Sequence, residues 1–297
     1  MKKMHALLFT LLLMVSLCAV DILRVDAVGL IFIRADGSIE GTNKIHRSAN
    51  TYIFAGDIEE SYGIIVEKSD IIIDGKGHTL NSVPRILPVG SWDFGIELSN
   101  VTDGNVTIKN LRIVGFNIGV YLWTANNTIT HNTIKGSNTG IFLAESPNTI
   151  VANYIENSTQ GVFLGPLPHD HSIVYNLFYH NSFVGNTWNV YDCECDDPKW
   201  KQHLNIWDNG TCGNYWSDYH GSDVDENGIG DAVYSVTEDD VDIYPLMTPL
   251  TLSINENEGF LGTSIPFELG VALTAGSSII VAAMLYVVLK RKKAKKL

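Results

Sequence analysis

The sequence predicts an all-β fold: a single-stranded, right-handed parallel β-helix of about six turns, with a cap at each end and one C-terminal transmembrane helix. The first observation is a repeat of 21 residues between Asn105 and Leu164, in which Thr107-Ile108 returns as Thr128-Ile129 and Thr149-Ile150. The second is the unit itself, which consists of short runs of Ile, Val, Phe and Thr separated by Asn, Gly and Ser. One repeat per turn places each strand beside its copy, in parallel sheets with about 4.8 Å between layers.

The same period predicts which residues stack along the axis. Isoleucines one period apart are expected inside the coil, one above the other: Ile108, Ile129 and Ile150. Glycines one period apart are expected at a corner where only Gly accepts the backbone freely: Gly119, Gly140 and Gly161. Stacked branched side chains would then form the core.

The outer surface is predicted from alternation within the strand that contains Tyr121. If Val120 and Leu122 point inward, Tyr121 points outward. Its copies Phe142 and Phe163 would stand in the same outer row, one layer apart. Such a row can stack on sugar rings, so these three aromatic residues are the candidate ligand-binding set. The alternative is that a neighbouring segment covers the rings.

Both ends of the chain carry apolar segments outside the predicted body. Residues 1–27 are typical of a secretory signal peptide cleaved after Ala27, with an uncleaved anchor as the alternative. Residues 270–289 contain no charge and are long enough to cross a bilayer core of about 30 Å. The basic tail 290–297 favours the cytoplasmic side, so the body is expected outside the cell, joined to the single-pass membrane helix by a linker at 251–269.

Charge excludes one class of partner. Residues 28–268 contain 11 Lys and Arg against 31 Asp and Glu. Phosphate binding requires a basic face, so the composition excludes nucleic acid. Cations are the natural counterpart of such a surface.

Three further segments complete the predicted body. Residues 28–61 are expected to cap the open N-terminal end, and residues 62–191 to form the repeats. Val83–Trp92 and Pro166–His171 interrupt the period and are predicted to be loops. Residues 192–250 are acidic and aromatic, and the cluster Gly213–Tyr219 is suited to closing the apolar end of the coil.

One loop of this C-terminal segment has the pattern of a calcium site. Oxygen-bearing side chains alternate along the chain and a glycine follows them, as a loop wrapped around Ca²⁺ requires: Asp223, Asp225, Asn227 and Asp231. Tyr234 stands where an EF-hand has its bidentate Glu, so that ligand would come from Asp239, Asp240 or Asp242. A plain Asp/Gly turn is the alternative.

The cysteines fit an exported protein. Cys193, Cys195 and Cys212 remain after removal of the signal, and in an oxidising compartment we expect Cys212 to pair with Cys193 or Cys195. The alternative is a metal site built from the same cysteines and His203, although the spacing matches no established zinc pattern.

The repeats resemble the right-handed β-helix proteins grouped as NosD-like or CASH domains. The run from Ile71 to Leu80 looks like the opening turn of that family, and the segments Gly213–Tyr219, Asp223–Asp231 and Asp242–Met247 resemble its closing region. The resemblance implies the fold, and it points to carbohydrate-binding proteins and sugar hydrolases. It also implies a copper-maturation role, which would need clustered His, Met or Cys ligands. The candidates are His169, His171 and the cysteines, without a Met cluster, which argues against copper.

No catalytic residue is assigned from the sequence. Several charged residues could face one side of the coil, but they form no signature of the pectin-degrading enzymes: Asp74, Asp93, Glu97, Arg112 and Glu145. The favoured function is a cell-surface binding, adhesion or scaffold module, with cell-envelope glycans or other polysaccharides as its expected partners. The alternatives are a polysaccharide lyase or glycoside hydrolase, and a NosD-like copper-maturation factor.

Overall fold

The structure, a computed structural model, describes residues 29–83, 93–165, 175–193, 205–238, 240–255 and 259–262. The first strands are β1 (Ile31–Ile33), β2 (Ile39–Glu40), β3 (Ile45–Ser48), β4 (Thr51–Phe54) and β5 (Ile58–Glu60). Five regular turns follow, each with three strands: β6 (Ile64–Val66), β7 (Ile71–Asp74), β8 (Thr79–Ser82), β9 (Phe94–Glu97), β10 (Val106–Lys109), β11 (Arg112–Val114), β12 (Ile118–Leu122), β13 (Thr128–Thr130), β14 (Thr133–Lys135), β15 (Thr139–Leu143), β16 (Thr149–Val151), β17 (Tyr154–Glu156), β18 (Gln160–Leu164), β19 (Leu177–Tyr179) and β20 (Ser182–Val184). The last strands are β21 (Trp188–Asp192), β22 (Tyr215–Trp216), β23 (Tyr234–Ser235), β24 (Val241–Asp242), β25 (Leu252–Asn255) and β26 (Gly259–Gly262).

Strands of successive turns pair in parallel and form three sheets along one axis. Sheet A has the order β2-β1-β6-β9-β12-β15-β18-β21, sheet B the order β19-β16-β13-β10-β7-β4-β3, and sheet C the order β22-β20-β17-β14-β11-β8-β5. Each turn passes from sheet A to B to C, so the chain forms a right-handed solenoid of about five regular turns, close to the six expected. The described residues contain no helix, which confirms the all-β class.

The register of sheet B confirms the predicted core. Ile108 pairs with Ile129, and Ile129 pairs with Ile150. All three side chains are fully buried and belong to one continuous hydrophobic cluster. Like residues therefore stack on like from one turn to the next, as the period predicts.

The glycine column is present, but for a different reason from the one expected. Gly119, Gly140 and Gly161 do not adopt positive φ. A Cβ on Gly119 would instead lie 2.6 Å from the carbonyl oxygen of Gly140 and 2.7 Å from Cγ2 of Ile134. The glycines lie within β12, β15 and β18 rather than at a corner, and close approach between layers, not a special backbone conformation, excludes a side chain there.

The N-terminal segment forms an irregular first turn. Its strands β1, β4 and β5 pair in parallel with β6, β7 and β8 of the next turn. β2 and β3 return antiparallel at the outer edges of sheets A and B. His46, Arg47 and Ser48 of β3 are exposed, so a polar strand covers the edge of sheet B and discourages pairing with another chain.

Two asparagine ladders hold the corners of the solenoid. At the corner between sheets B and C, the backbone N–H of each rung donates to the side-chain oxygen of the next Asn, at 3.0 to 3.1 Å: Asn132, Asn153, Asn181 and Asn214. An equivalent ladder at the corner between sheets A and B consists of Asn127, Asn148, Asn176 and Asn205. All of these side chains are buried, so the ladders satisfy polar groups that the turns would otherwise leave unpaired.

The C-terminal segment closes the far end of the core, as predicted. Trp207 stacks on Phe178 at 4.1 Å and Trp216 stacks on Phe183 at 4.5 Å, both buried. Each ladder then ends on a buried carboxylate. Asn205 donates its N–H to Asp240 at 3.3 Å, and Asn214 donates its N–H to Asp242 at 2.6 Å.

The predicted signal peptide at 1–27, transmembrane segment at 270–289 and basic tail at 290–297 lie outside the described residues. No helix in the described part of the chain meets the length and hydropathy that a bilayer crossing requires.

Candidate functional site

The outer surface of sheet A carries the predicted aromatic row. We call this surface the sheet A face, and define it as the outward side chains of β9, β12, β15, β18 and β21 with the outward residue just after each strand. Parallel register sets its central column, which consists of Glu97, Tyr121, Phe142, Phe163 and Tyr191. The inward neighbours Val120 and Leu122 are fully buried, which confirms the predicted alternation.

The aromatic row is longer than the sequence predicts. Ring centroids lie 5.0 Å apart between Phe94 and Tyr121, 5.1 Å between Tyr121 and Phe142, 4.6 Å between Phe142 and Phe163, and 5.3 Å between Phe163 and Tyr191. The 21-residue period does not place Phe94 in the row, because its backbone pairs with Ile118. Its ring nevertheless stacks on that of Tyr121. The 21-residue spacing does not predict Tyr191, because residues 166–174 add to the sequence between it and Phe163. The Val190-Tyr191 pair, which resembles Val162-Phe163, is the sequence feature that could have identified it.

Most faces of these rings are already occupied. Three of the four contacts in the row are stacked, and Tyr121 is only 7% exposed. The accessible aromatic surface belongs to Trp123, Trp188 and Tyr191, which are 36%, 49% and 37% exposed. Trp123 packs edge-on against Tyr121 and Trp188 packs edge-on against Tyr191, so the two indoles flank the row about 14 Å apart along the axis, three strand spacings.

A few polar groups interrupt this apolar surface. Thr139 donates its hydroxyl to the side-chain oxygen of Gln160 at 2.8 Å, which leaves the Gln160 amide nitrogen directed away from that bond. Ser99 donates to one oxygen of Glu97. Burial raises the pKa of Tyr121, and the nearby Glu97 carboxylate adds to the shift, so this hydroxyl stays protonated. Aromatic area with a few fixed polar groups is typical of ligand sites.

All three interruptions of the period directly precede or follow a strand of sheet A in the chain. Val83–Trp92 precedes β9, the interruption Pro166–His171 follows β18, and the chain beyond 193 follows β21, so each begins or ends at an edge of sheet A. Gly165 is the residue at which the chain leaves sheet A after β18. A Cβ there would lie 2.2 Å from Cε1 of Phe163 and 2.8 Å from Cζ of Phe142, so the backbone lies directly against the row.

The charged residues considered for catalysis do not converge. Asp74 lies on sheet B, Glu97 on sheet A and Arg112 on sheet C, so the expectation that they share one side is wrong. Burial favours the neutral form of Asp74, but hydrogen bonds from Asn110 and Lys76 and two nearby lysine charges hold its pKa below the usual range. Asp93 accepts the backbone N–H of Asn117 at 2.9 Å, which is a turn contact.

The calcium candidates form an exposed loop with internal hydrogen bonds. Asp223 accepts the backbone N–H groups of Asn227 and Gly228, and Asp231 accepts that of Val224. Of the residues expected to supply the missing ligand, Asp240 and Asp242 are fully buried at the ends of the ladders, where each accepts a backbone N–H, and Asp239 lies outside the described residues. No group of three or more His, Cys, Asp or Glu in the described chain is arranged to hold a metal ion. Calcium at this loop stays a prediction.

The predicted disulfide of Cys212 with Cys193 or Cys195 stays a prediction. Cys212 carries a free thiol at the corner between sheets B and C, whereas Cys193 follows the last strand of sheet A; Cys195 lies outside the described residues. Burial raises the pKa of Cys212 to about 11, and the carboxylates of Asp242 and Asp208 add to the shift. At neutral pH this shift favours the protonated thiol.

The comparisons with known proteins concern the whole solenoid. A family model described as periplasmic copper-binding protein (NosD) matches residues 30–221. No curated protein matches the chain.

Among the described residues, no group of three or more His, Cys, Asp or Glu is arranged to hold a copper ion. His131 and His180 stand at the corner between sheets B and C with Ala152 between their layers, and burial lowers the pKa of both imidazoles. The sequence candidates His169 and His171 fall outside the described residues. The family match nevertheless spans more than half of the sequence and all five regular turns, and on that ground the chain belongs to the NosD family.

Proposed function

We propose that this protein is a membrane-anchored, cell-surface member of the NosD family that binds carbohydrate on the sheet A face. The observation that carries the proposal is the continuous outer row from Phe94 to Tyr191, flanked by the exposed indoles of Trp123 and Trp188. A soluble solenoid has no structural need for exposed tryptophans on a single sheet, and clustered exposed aromatic residues mark binding surfaces.

Each part of the face has a role in this proposal. Tyr121, Phe142 and Phe163 form a rigid floor, because their rings support one another. Trp123, Trp188 and Tyr191 offer the accessible rings on which the apolar faces of sugars stack. The Gln160 amide supplies a directional hydrogen-bond donor for a sugar oxygen. The length of the row suits an extended oligosaccharide that lies along the solenoid axis.

The point at which the chain leaves the solenoid supports an outward orientation of the face. Leu250 packs with Val151, Ala152 and Tyr179, and its backbone N–H donates to the Ser182 hydroxyl at 2.7 Å. These residues lie at the corner between sheets B and C, across the solenoid from sheet A. If residues 270–289 cross the membrane, a departure from that corner leaves the sheet A face directed away from the bilayer.

A glycan array probed with the full-length chain in detergent tests the proposal, together with a reducing-sugar assay on every glycan that binds. We expect binding without cleavage. Trp123→Ala and Trp188→Ala should each weaken binding at least tenfold, because a few aromatic anchors carry most of the energy of such contacts.

The matched control is Tyr154→Ala, which removes a half-buried outward ring from sheet C. It should leave glycan affinity unchanged. Equal losses from Tyr154→Ala and Trp188→Ala, or binding to no glycan, would contradict a site on sheet A. Release of reducing ends would instead favour the enzymatic alternative.

A further inference from the structure

We propose that Glu97 gives the sheet A face a charge preference: a glycan with cationic amino groups binds more tightly than its neutral counterpart, and a chain of uronic acids is rejected. This inference rests on the proposed function and names the ligand class of the same site.

Glu97 occupies the N-terminal end of the central column, beside the aromatic row. Its backbone pairs with Tyr121 of the next layer, and its side chain is half-buried. Glu97 is the one carboxylate among the described residues of the sheet A face. The same residues include no Lys, Arg or His. A ligand that lies along the row therefore meets a single fixed charge.

The local hydrogen bonds leave this charge available. Ser99 donates to one carboxylate oxygen of Glu97, which fixes the side chain, while the other oxygen accepts no hydrogen bond from any described residue. A primary amine on the ligand could donate to that second oxygen. Charge-assisted hydrogen bonds of this kind are shorter and stronger than neutral ones.

The layers above Glu97 do not neutralise it. Ile65 pairs with Glu97, and Phe32 pairs with Ile65, so the central column continues with apolar side chains. Arg34, a cation in these layers, is already bonded to Glu40 and Glu67. This end of sheet A thus has more carboxylates than cations.

The Glu97 carboxylate also disfavours acidic glycans. A polyuronate would carry one carboxylate per sugar past Glu97, where like charges repel. The electrostatics thus favour amino sugars and disfavour uronic acids.

The test uses three oligosaccharides of equal length with the full-length chain in detergent: a glucosamine oligomer with free amines, its N-acetylated counterpart and an oligogalacturonate. At pH 6 and low salt we expect the amine form to bind about three to ten times more tightly than the N-acetylated form, as one partly exposed ion pair allows. The ratio should fall as salt is added, because salt screens such pairs.

Glu97→Gln should abolish the preference, because glutamine still accepts the Ser99 hydrogen bond but carries no charge. Glu59→Gln makes the same charge change on sheet C and should keep the preference. Melting temperatures show whether each variant is folded, and the salt dependence of the wild-type ratio tests the same point without a variant.

The possible failures are distinguishable. Equal affinity for both glucosamine forms, tight binding of the oligogalacturonate, or an unchanged ratio in Glu97→Gln overturns the charge preference and leaves carbohydrate binding standing. Binding of none of the three also overturns the preference. If the glycan array is negative as well, the proposed function fails with it.

Discussion

Asp242 accepts the backbone N–H of Asn214 at 2.6 Å and so takes the place that an asparagine side chain occupies at every earlier rung of the ladder. The same oxygen accepts the indole N–H of Trp216 at 2.9 Å. One buried carboxylate therefore joins the end of the ladder to Trp216, which helps to cover the C-terminal end of the core. Burial raises the pKa of Asp242 to about 6, although the hydrogen bonds that it accepts oppose the shift.

This pKa predicts a pH-dependent stability. The folded-state pKa lies above the unfolded value of about 3.9, so the contribution of Asp242 is fully present below pH 4 and is lost as the pH rises through 6. The loss amounts to about 3 kcal/mol in the free energy of unfolding, from two pKa units at 1.36 kcal/mol each. Urea titrations between pH 4.5 and 7.5, followed by tryptophan fluorescence, measure it.

Asp242→Asn should remove most of this slope, because asparagine does not titrate. Asp103→Asn, which removes the same charge at an exposed turn, should keep it. A slope that survives in Asp242→Asn would show that another group is responsible.

The middle of the ladder should be sensitive to truncation. Asn153 accepts the backbone N–H and the side-chain amide of Asn132, and donates to the carbonyl of Ile129. Asn153→Ala leaves these buried groups without partners, each at a cost of about 1–3 kcal/mol, so we expect a loss of at least about 3 kcal/mol in the free energy of unfolding. Asn138→Ala at an exposed turn should change it by less than about 0.5 kcal/mol. Equal midpoints in urea for the two variants would contradict a structural role for the ladder.

The glycine column makes a second prediction about stability. A Cβ on Gly140 would lie 2.5 Å from the carbonyl oxygen of Gly161 and 3.0 Å from Cγ2 of Ile155. Gly140→Ala should therefore force the layers apart and lower the free energy of unfolding by about 1–3 kcal/mol. Gly56→Ala is the matched control, since a Cβ there has no atom within 4 Å, and it should be neutral or slightly stabilising. A neutral Gly140→Ala would show that the layer spacing can relax.

Calcium is expected to stabilise the C-terminal loop. If Asp223, Asp225, Asn227 and Asp231 bind Ca²⁺ in the folded state, a calcium concentration of about 100 times Kd raises the free energy of unfolding by about 2.7 kcal/mol. The melting temperature should then be higher in calcium than in chelator, and Asp223→Asn with Asp225→Asn should remove the difference. Identical melting temperatures in calcium and in chelator would reject this site.

The 21-residue period by itself determined the fold class, the inward isoleucines and the outward position of Tyr121, Phe142 and Phe163. A repeat that exact leaves one register for parallel strands, because a shift by one residue would turn the Ile108 column to solvent. The sequence also predicted that the aromatic cluster Gly213–Tyr219 covers the C-terminal end of the core, since an open core end requires a large apolar cover.

Only the tertiary structure determined which aromatic rings are exposed and how the asparagine ladders end. Trp123 and Trp188 are exposed, and Tyr121 is covered, because ring packing depends on which faces neighbouring layers already occupy. Asp240 and Asp242 close the ladders, which the sequence did not reveal, since contacts between segments 28 to 35 residues apart arise only when the chain is folded. The local sequence pattern thus determined the β-helix, whereas packing between its layers determined which side chains of the candidate site are exposed.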